Sequence, residues 1–230
     1  MTIRTRGMHA LLLCALAPAA LAQAPAPATT PAPAPPPAAA PAPPTSGPVL
    51  EVRARHEAVD DDAFANDAEA DTLRVRLGYR WIFTPGWTVY AGAEGIGNMG
   101  SGGYNTTANG NTAYPVIADP PGTEWDEAWL GWNGNPKFEA KVGRQKLILD
   151  NARFFGNVGW RQNQQTFDAA MLAWKPAAPW ALRYLYLDQA NRVFGNYNPN
   201  PLLAEYDLDA NLLNASWTQP WGQVVGYGYF

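Results

Sequence analysis

From Val49 onward the chain alternates apolar and polar positions with a period of two, which is typical of β-strands with two different faces. In the first such segment Leu50, Val52 and Ala54 share one face, and charged residues occupy the positions between them. The pattern recurs along the chain and predicts nine strands, at residues 49–57, 72–82, 87–95, 124–132, 138–149, 167–174, 181–189, 211–217 and 223–230.

The connections between these strands alternate in length. Short turns rich in Pro and Gly lie at 84–86, 133–136, 176–179 and 220–222, and long polar segments lie at 58–71, 96–123, 150–166 and 190–210. Outer-membrane barrels have short turns on one rim and long loops on the other, whereas a soluble sandwich does not require this sorting. The chain is therefore predicted to be all-β, an antiparallel transmembrane β-barrel.

Tryptophan placement supports the same fold. The chain contains ten Trp, and a girdle of aromatic side chains is expected where a barrel wall crosses a membrane interface. The alternative is a set of core tryptophans in a soluble β-protein. Those close to the short turns are Trp81, Trp87, Trp132, Trp174, Trp180 and Trp221.

The first 48 residues differ from the rest in composition. Arg4 and Arg6 precede an apolar run at 10–21, and small residues follow, so residues 1–22 are predicted to be a cleaved signal peptide. Residues 23–48 are almost entirely Ala and Pro, which predicts an extended periplasmic linker. No later stretch approaches the roughly 18 apolar residues of a membrane-spanning helix.

Composition also excludes several functions. Cys14 lies in the predicted signal and His56 is the one histidine after it, so thiolate or histidine-rich metal sites and catalytic triads lack the residues they need. The net charge of −4 argues against nucleic-acid partners. We therefore predict no enzyme activity, no catalytic residues, no metal and no cofactor.

Two acidic groups offer alternatives to this prediction, a metal site and a pair of catalytic carboxylates. The long segment at 58–71 is rich in Asp and Glu, which are Ca²⁺ ligands, but it lacks EF-hand spacing, so a solvated loop is favoured. Glu124, Asp126 and Glu127 resemble the paired carboxylates of glycoside hydrolysis. Strict alternation places Asp126 and Glu127 on opposite faces, so wall charges are favoured there.

Two blocks of the sequence resemble the alginate export family of outer-membrane porins. The first contains RARHEAVDDD at 53–62 and ADTLRVRLGY at 70–79. The second contains VGRQ at 142–145, DNARFFG at 150–156, GWRQ at 159–162 and TFD at 166–168.

The resemblance implies a monomeric barrel of eighteen antiparallel strands that passes a polysaccharide or a small anionic or sugar solute. Outer-membrane lipid and the barrel-assembly and export machinery would be its partners. Single-chain bacterial barrels normally have an even number of strands. Nine strands therefore lead us to expect a truncated barrel, with residues 49–230 as the N-terminal half.

Charged residues on the polar face of the strands are the predicted pore lining, since rings of basic side chains favour anions. Acidic residues at 51, 57 and 139 share that face, so cross-strand pairing is the alternative use of these charges. The candidate residues in the strands are Arg53, Arg55, Arg74, Arg76, Arg80, Glu94, Glu127 and Lys141, with Arg183 a weaker candidate.

Arg144 breaks the pattern, because it shares its parity with Phe138 and Val142 and would face lipid, at a cost of about 2–4 kcal/mol at the midplane. Either a bulge near Gly143 turns it inward or it lies near the long-loop rim. With Arg153 and Arg161 in the following loop, it is a candidate for an inward-folded constriction.

Two other functions fit the same pattern. A secreted carbohydrate-binding β-sandwich shares the alternation, the aromatic residues and the export signal. A surface barrel with a plugged lumen shares the transmembrane strands but does not conduct.

Overall fold

The computed structural model describes residues 45–100 and 103–230, which form a single nine-stranded sheet. Each strand pairs antiparallel with the next one in the chain, in the order β1 to β9. The all-β prediction is confirmed. The strands are β1 Gly47–Val59, β2 Ala68–Thr84, β3 Trp87–Asn98, β4 Gly122–Asn135, β5 Phe138–Gln145, β6 Thr166–Trp174, β7 Trp180–Asn191, β8 Glu205–Gln219 and β9 Gly222–Tyr229.

The predicted signal peptide at 1–22, and the predicted linker up to residue 44, lie outside the described residues. A single helical turn, α1 at Pro201–Ala204, precedes β8. Asn200 caps it by accepting a hydrogen bond from the Leu202 amide, and Pro201 fits the first turn because its missing N–H would have no partner there. No helix in the described residues is long and apolar enough to cross a membrane.

Three strand boundaries differ from the prediction by four residues or more. β2 begins at Ala68, four residues earlier than residue 72. β8 begins six residues earlier than residue 211, directly after α1. β5 ends at Gln145, whereas alternation predicted it to continue to 149. Leu147 and Leu149 are still buried and Ile148 is exposed, so the period of two continues after the hydrogen-bonded ladder has ended. Alternation reports burial here and not strand pairing.

The two faces of the sheet differ in exposure. On what we call the outer face, apolar side chains are open, and Leu50 and Leu77 are 66% and 62% exposed. On the inner face, charged side chains are covered, and Arg74 and Glu94 are each 2% exposed. This is the reverse of a soluble sandwich, in which the apolar face is covered and the charged face is open.

A β-bulge in β4 corrects the prediction for the paired carboxylates. Gly92 pairs with Glu127 and Ala93 pairs with Trp125, so Asp126 is the additional residue in the strand. Such a residue interrupts the alternation. Asp126 and Glu127 are consequently both buried, at 5% and 6% exposure, and the prediction of opposite faces was wrong.

Long loops fold over the inner face and form two apolar clusters with it. Residues 146–165, which we call the inner loop, contribute Leu147 and Leu149 to a cluster with Leu185 and Leu212 of the sheet. The loop at 99–121 contributes Tyr104 and Ile117 to a second cluster on β2. The core of the described residues therefore lies between the loops and the inner face.

Aromatic side chains line the short-turn edge of the sheet, where the sequence predicted them. Neighbouring strands bring them together as cross-strand pairs, which stabilise sheets. The ring centroids are 6.5 Å apart for Trp87 and Trp132, 6.2 Å for Phe138 and Trp174, and 6.0 Å for Trp180 and Trp217.

Candidate functional site

Arginines of β1 and β2 meet on the inner face. The register places Arg53 directly opposite Arg74 and Glu51 opposite Arg76. Like charges opposite each other destabilise a sheet unless other groups compensate them. The compensating groups come from β1 itself, β3, β4, the loop at 99–121 and the inner loop. We call Arg53, Arg55, Arg74, Arg76 and Arg161 the arginine cluster.

Arg76 is the centre of a buried ion-pair network. Its Nε lies 2.6 Å from Glu94 Oε2 and 3.1 Å from Asp126 Oδ2, and its Nη1 lies 3.7 Å from Glu51 Oε2. The side chains of Glu94 and Asp126 are 1% and 5% exposed. Charges this deeply buried require partners, because an isolated ion loses its hydration. The bulge supplies one of the two acids, since it turns Asp126 to this face.

Arg53 is bound differently. Its Nη1 donates to the carbonyl of Gly159 at 3.0 Å, its Nη2 to the carbonyls of Trp160 at 2.9 Å and Arg161, and its Nε to Gln162 Oε1 at 2.9 Å. Among the described residues, no carboxylate lies within ion-pair distance of this guanidinium. Arg53 therefore holds the inner loop through neutral oxygens alone.

Arg55 and Arg161 complete the cluster around two acids and one aromatic ring. Arg55 lies 3.0 Å from Asp119, and Arg161 lies 3.0 Å from Glu57. Both guanidiniums lie over the ring of Trp160, at 4.8 Å and 3.9 Å from its centroid. Such cation–π contacts orient the loop against the arginines.

Gln162 anchors the end of this loop segment. Its side chain is fully buried, and its Nε2 donates to Thr72 Oγ1 at 2.8 Å. Its backbone N–H donates to Asp119 Oδ1 at 2.8 Å. Its carbonyl accepts from Arg74 at 2.8 Å. No pattern in the sequence predicts a role for Gln162 or Asp119, although GWRQ at 159–162 is part of the family resemblance. Asp119 lies in a long loop without periodicity, so no sequence signal pointed to it.

A second group of predicted residues lies nearer the short-turn rim. Arg80 and Lys141 line a cleft of about 270 Å³ with Trp129. Lys141 Nζ lies 4.2 Å from the centroid of the Trp129 ring, and Glu127 lies 3.5 Å from Lys146. Arg80 has no carboxylate within ion-pair distance in the part of the chain that the structure describes. Arg80 is therefore the less compensated charge of this group.

The predicted constriction of Arg144, Arg153 and Arg161 is not assembled as a unit. Arg144 forms a two-pronged ion pair with Asp168, at 2.7 and 2.8 Å, one residue before β5 ends at the long-loop rim. Arg153 is exposed and lies 5.8 Å from the centroid of the Phe154 ring. Of the three, Arg161 alone joins the arginine cluster, because the inner loop carries it back across β1.

Arg183, the weaker candidate, anchors the opposite end of the inner loop. It donates to Asn214 at 2.8 Å, and Asn214 and Tyr227 both donate to Asp150 at the start of that loop. The inner loop thus connects the inner faces of β7 to β9 with those of β1 and β2. Its position depends on contacts at both ends.

Two other polar groups lie on the long-loop side of the sheet. His56, Glu69 and Asp71 bring three metal-ligand atoms within 4.8 Å of one another at the exposed ends of β1 and β2. In the loop at 99–121, burial and the charge of Asp119 raise the pKa of Tyr104. Its hydroxyl donates to Asn98 Oδ1 at 2.6 Å.

Solved structures with the same fold are outer-membrane porins. OccAB3 of Acinetobacter baumannii superposes with a TM-score of 0.59 at 13% identity, over 80% of this chain and 49% of that one. A BenF-like porin from Pseudomonas fluorescens Pf-5 superposes with a TM-score of 0.50 at 15% identity, over 80% of this chain and 48% of that one. The chain has the fold of an outer-membrane porin wall and spans about half the length of these porins.

The family model for alginate export matches residues 104–187, which confirms the predicted resemblance for the second block. The first block, at 53–79, lies outside that match. No curated protein matches the chain by sequence.

Proposed function

We propose that the protein is a channel of the bacterial outer membrane, and that its solute is an anionic polysaccharide or a smaller anionic or sugar molecule. The observation that carries the proposal is the sorting of charge. A wall with the porin fold exposes apolar side chains on the outer face and bears the arginine cluster on the inner face. Lipid requires the first arrangement, and a polar lumen requires the second.

The proposal accounts for the aromatic edge of the sheet. Trp and Tyr rings favour the membrane–water interface, where one end of the ring is apolar and the other is wet. In the described residues β1 and β9 each pair with one strand. Open sheet edges do not occur in hydrocarbon, so a conducting barrel requires strands that pair with both.

The charges of the inner face support an anionic solute. Within the arginine cluster, Arg55, Arg74, Arg76 and Arg161 pair with acids, and Arg53 has no such pair in the described residues. The acids are Glu51, Glu57, Glu94, Asp119 and Asp126. Among the predicted pore-lining residues in the strands, the cations without an ion pair in the described residues are Arg53, Arg80 and Lys141. These three residues are therefore proposed to attract the solute.

Ion selectivity tests the proposal directly. The full-length protein is inserted into a planar bilayer, and the reversal potential is measured across a salt gradient for wild type and for Arg80→Glu with Lys141→Glu. We expect wild type to favour anions and the double variant to shift toward cations. The matched control is Lys137→Glu, which reverses an exposed charge in the β4–β5 turn and is expected to leave the reversal potential unchanged.

Three results would contradict the proposal. Absence of conductance would favour a plugged surface barrel. Equal reversal potentials for wild type and the double variant would remove the role of the inner-face cations. Recovery of the protein from native cells in soluble fractions, without a shift in electrophoretic mobility on boiling, would favour the secreted carbohydrate-binding sandwich.

A further inference from the structure

Four consecutive backbone carbonyls of the inner loop accept hydrogen bonds from the arginine cluster. Arg53 binds those of Gly159, Trp160 and Arg161, and Arg74 binds that of Gln162. Arg55 adds a second bond to the Trp160 carbonyl, at 2.8 Å. Three guanidiniums thus point their N–H groups at one short row of oxygens, which is the donor arrangement that binds carboxylates.

We propose that the backbone carbonyls of residues 159–161 are an internal stand-in ligand in a carboxylate-binding site, and that carboxylate groups of the solute displace them from Arg53. This proposal deepens the proposed function and rests on it. The loop carbonyls bind Arg53 more weakly than a carboxylate would. A bond from the guanidinium to a loop carbonyl has one charged partner, whereas a bond to a carboxylate has two, and one carboxylate accepts two parallel bonds from one guanidinium.

Arg53 is the arginine at which replacing the loop carbonyls with a solute carboxylate costs the least free energy. Arg55, Arg74 and Arg76 each lie within ion-pair distance of an acid, so a solute carboxylate must compete there with a resident charge. Arg53 has neutral acceptors in the described residues, and the neighbouring arginines add positive potential around it. When a carboxylate binds, Arg53 would gain a partner of opposite charge and lose contacts with neutral carbonyls.

The loop segment is built so that part of it can leave. Trp160 is 58% exposed and Gly159 is exposed, whereas Gln162 is fully buried. The carbonyls of residues 159–161 can therefore turn away from Arg53 while Gln162 stays bound to Thr72 and Asp119 and the Arg161 side chain stays paired with Glu57. Released carbonyls of Gly159 and Trp160 would be hydrated, because their contacts with Arg53 lie at the exposed side of the loop.

Hydrogen exchange measures the displacement. Full-length protein in detergent is labelled with deuterium at constant ionic strength, and peptides that cover 157–163 are analysed by mass spectrometry. The amide of Arg161, which donates to Val158 at 3.0 Å, is the reporter. An alginate oligosaccharide supplies the carboxylates, and a neutral malto-oligosaccharide of equal length is the matched probe. We expect exchange to rise on the order of fivefold with the carboxylated probe and not with the neutral one.

Two variants separate recognition from general loosening. Arg53→Gln removes the charge, and we expect faster exchange without ligand and no further rise with the carboxylated probe. Arg192→Gln is the control, because Arg192 also donates to a backbone carbonyl, that of Leu202, outside the cluster. It is expected to keep the wild-type response.

Equal exchange with the two probes in the wild type would overturn the proposal, and so would a full response in Arg53→Gln. These results are distinguishable from a failure of the proposed function. If the protein does not conduct but shows carboxylate-dependent exchange, the carboxylate site is supported and the channel function is contradicted. If the protein conducts and selects anions without that exchange, the channel function is supported and the stand-in ligand is contradicted.

Discussion

Removal of the Arg76 guanidinium is expected to be the most destabilising single change on the inner face. In Arg76→Met, Glu94 loses the one hydrogen-bond partner that its side chain has in the described residues, because its Oε1 has none there and its Oε2 is bound by Arg76. Asp126 loses the same cation but keeps the amide of Gln164 at 2.8 Å. The variant therefore leaves two buried acids, of which one has no compensation.

The magnitude follows from burial. The side chains of Arg76 and Glu94 are 10% and 1% exposed, so solvent screens their interaction little. Breaking a buried pair by removing one partner costs about 3–5 kcal/mol, whereas an exposed pair contributes about 0–1 kcal/mol. We expect the free energy of unfolding to fall by the larger amount. Adding Glu94→Gln to Arg76→Met removes the uncompensated charge and should restore about 1–3 kcal/mol.

Urea unfolding of the full-length protein in lipid vesicles, followed by tryptophan fluorescence, measures these differences as shifts of the midpoint at constant slope. Arg80→Met is the matched control, since Arg80 lies on the same face of β2 without an ion pair in the described residues. Its loss should cost less than about 1 kcal/mol. If Arg76→Met costs no more than Arg80→Met, the buried network does not contribute as described.

Three further predictions concern the wall and a loop. In Gly78→Ala, a Cβ atom would lie 2.5 Å from the Tyr90 hydroxyl, so we expect a loss of about 1–3 kcal/mol in the same urea assay. Leu77→Arg places a charge on the outer face where the side chain is 62% exposed, and should cost about 2–4 kcal/mol in vesicles. The raised pKa of Tyr104 means that the unfolded chain ionises first, so stability present below about pH 10 is lost as pH rises through the folded pKa. In Tyr104→Phe the free energy of unfolding should fall less steeply over that pH range.

Each of these has a control within the chain. Gly97→Ala adds a Cβ with nothing within 4 Å and should be close to neutral. Met99→Arg adds a charge at an exposed loop position and should not share the cost of Leu77→Arg. For Tyr104 the readout is the slope of the free energy of unfolding with pH. Hydrogen bonds lost in Tyr104→Phe lower that free energy by the same amount at low and at high pH, so they leave the slope unchanged. Equal slopes in wild type and variant would contradict the assignment.

Local pattern was sufficient for the strands and their faces. A period of two is a property of neighbouring residues, so Leu50 and Val52 could be separated from Arg53 and Arg55 without knowledge of the fold. The same rule failed at Asp126, because a bulge depends on how β4 pairs with β3. It also extended β5 too far, because Leu147 and Leu149 alternate in burial without a paired strand.

The amino-acid sequence by itself determined the number of strands, the sorting of short turns and long loops, and the arginines of the inner face. Tertiary structure alone decided what those arginines bind. Arg53 and Gln162 are 109 residues apart, and Arg53 meets the carbonyls at 159–161 because the inner loop folds back over β1. Backbone carbonyls are identical in every residue, so no side-chain pattern could have indicated which of them would occupy the site.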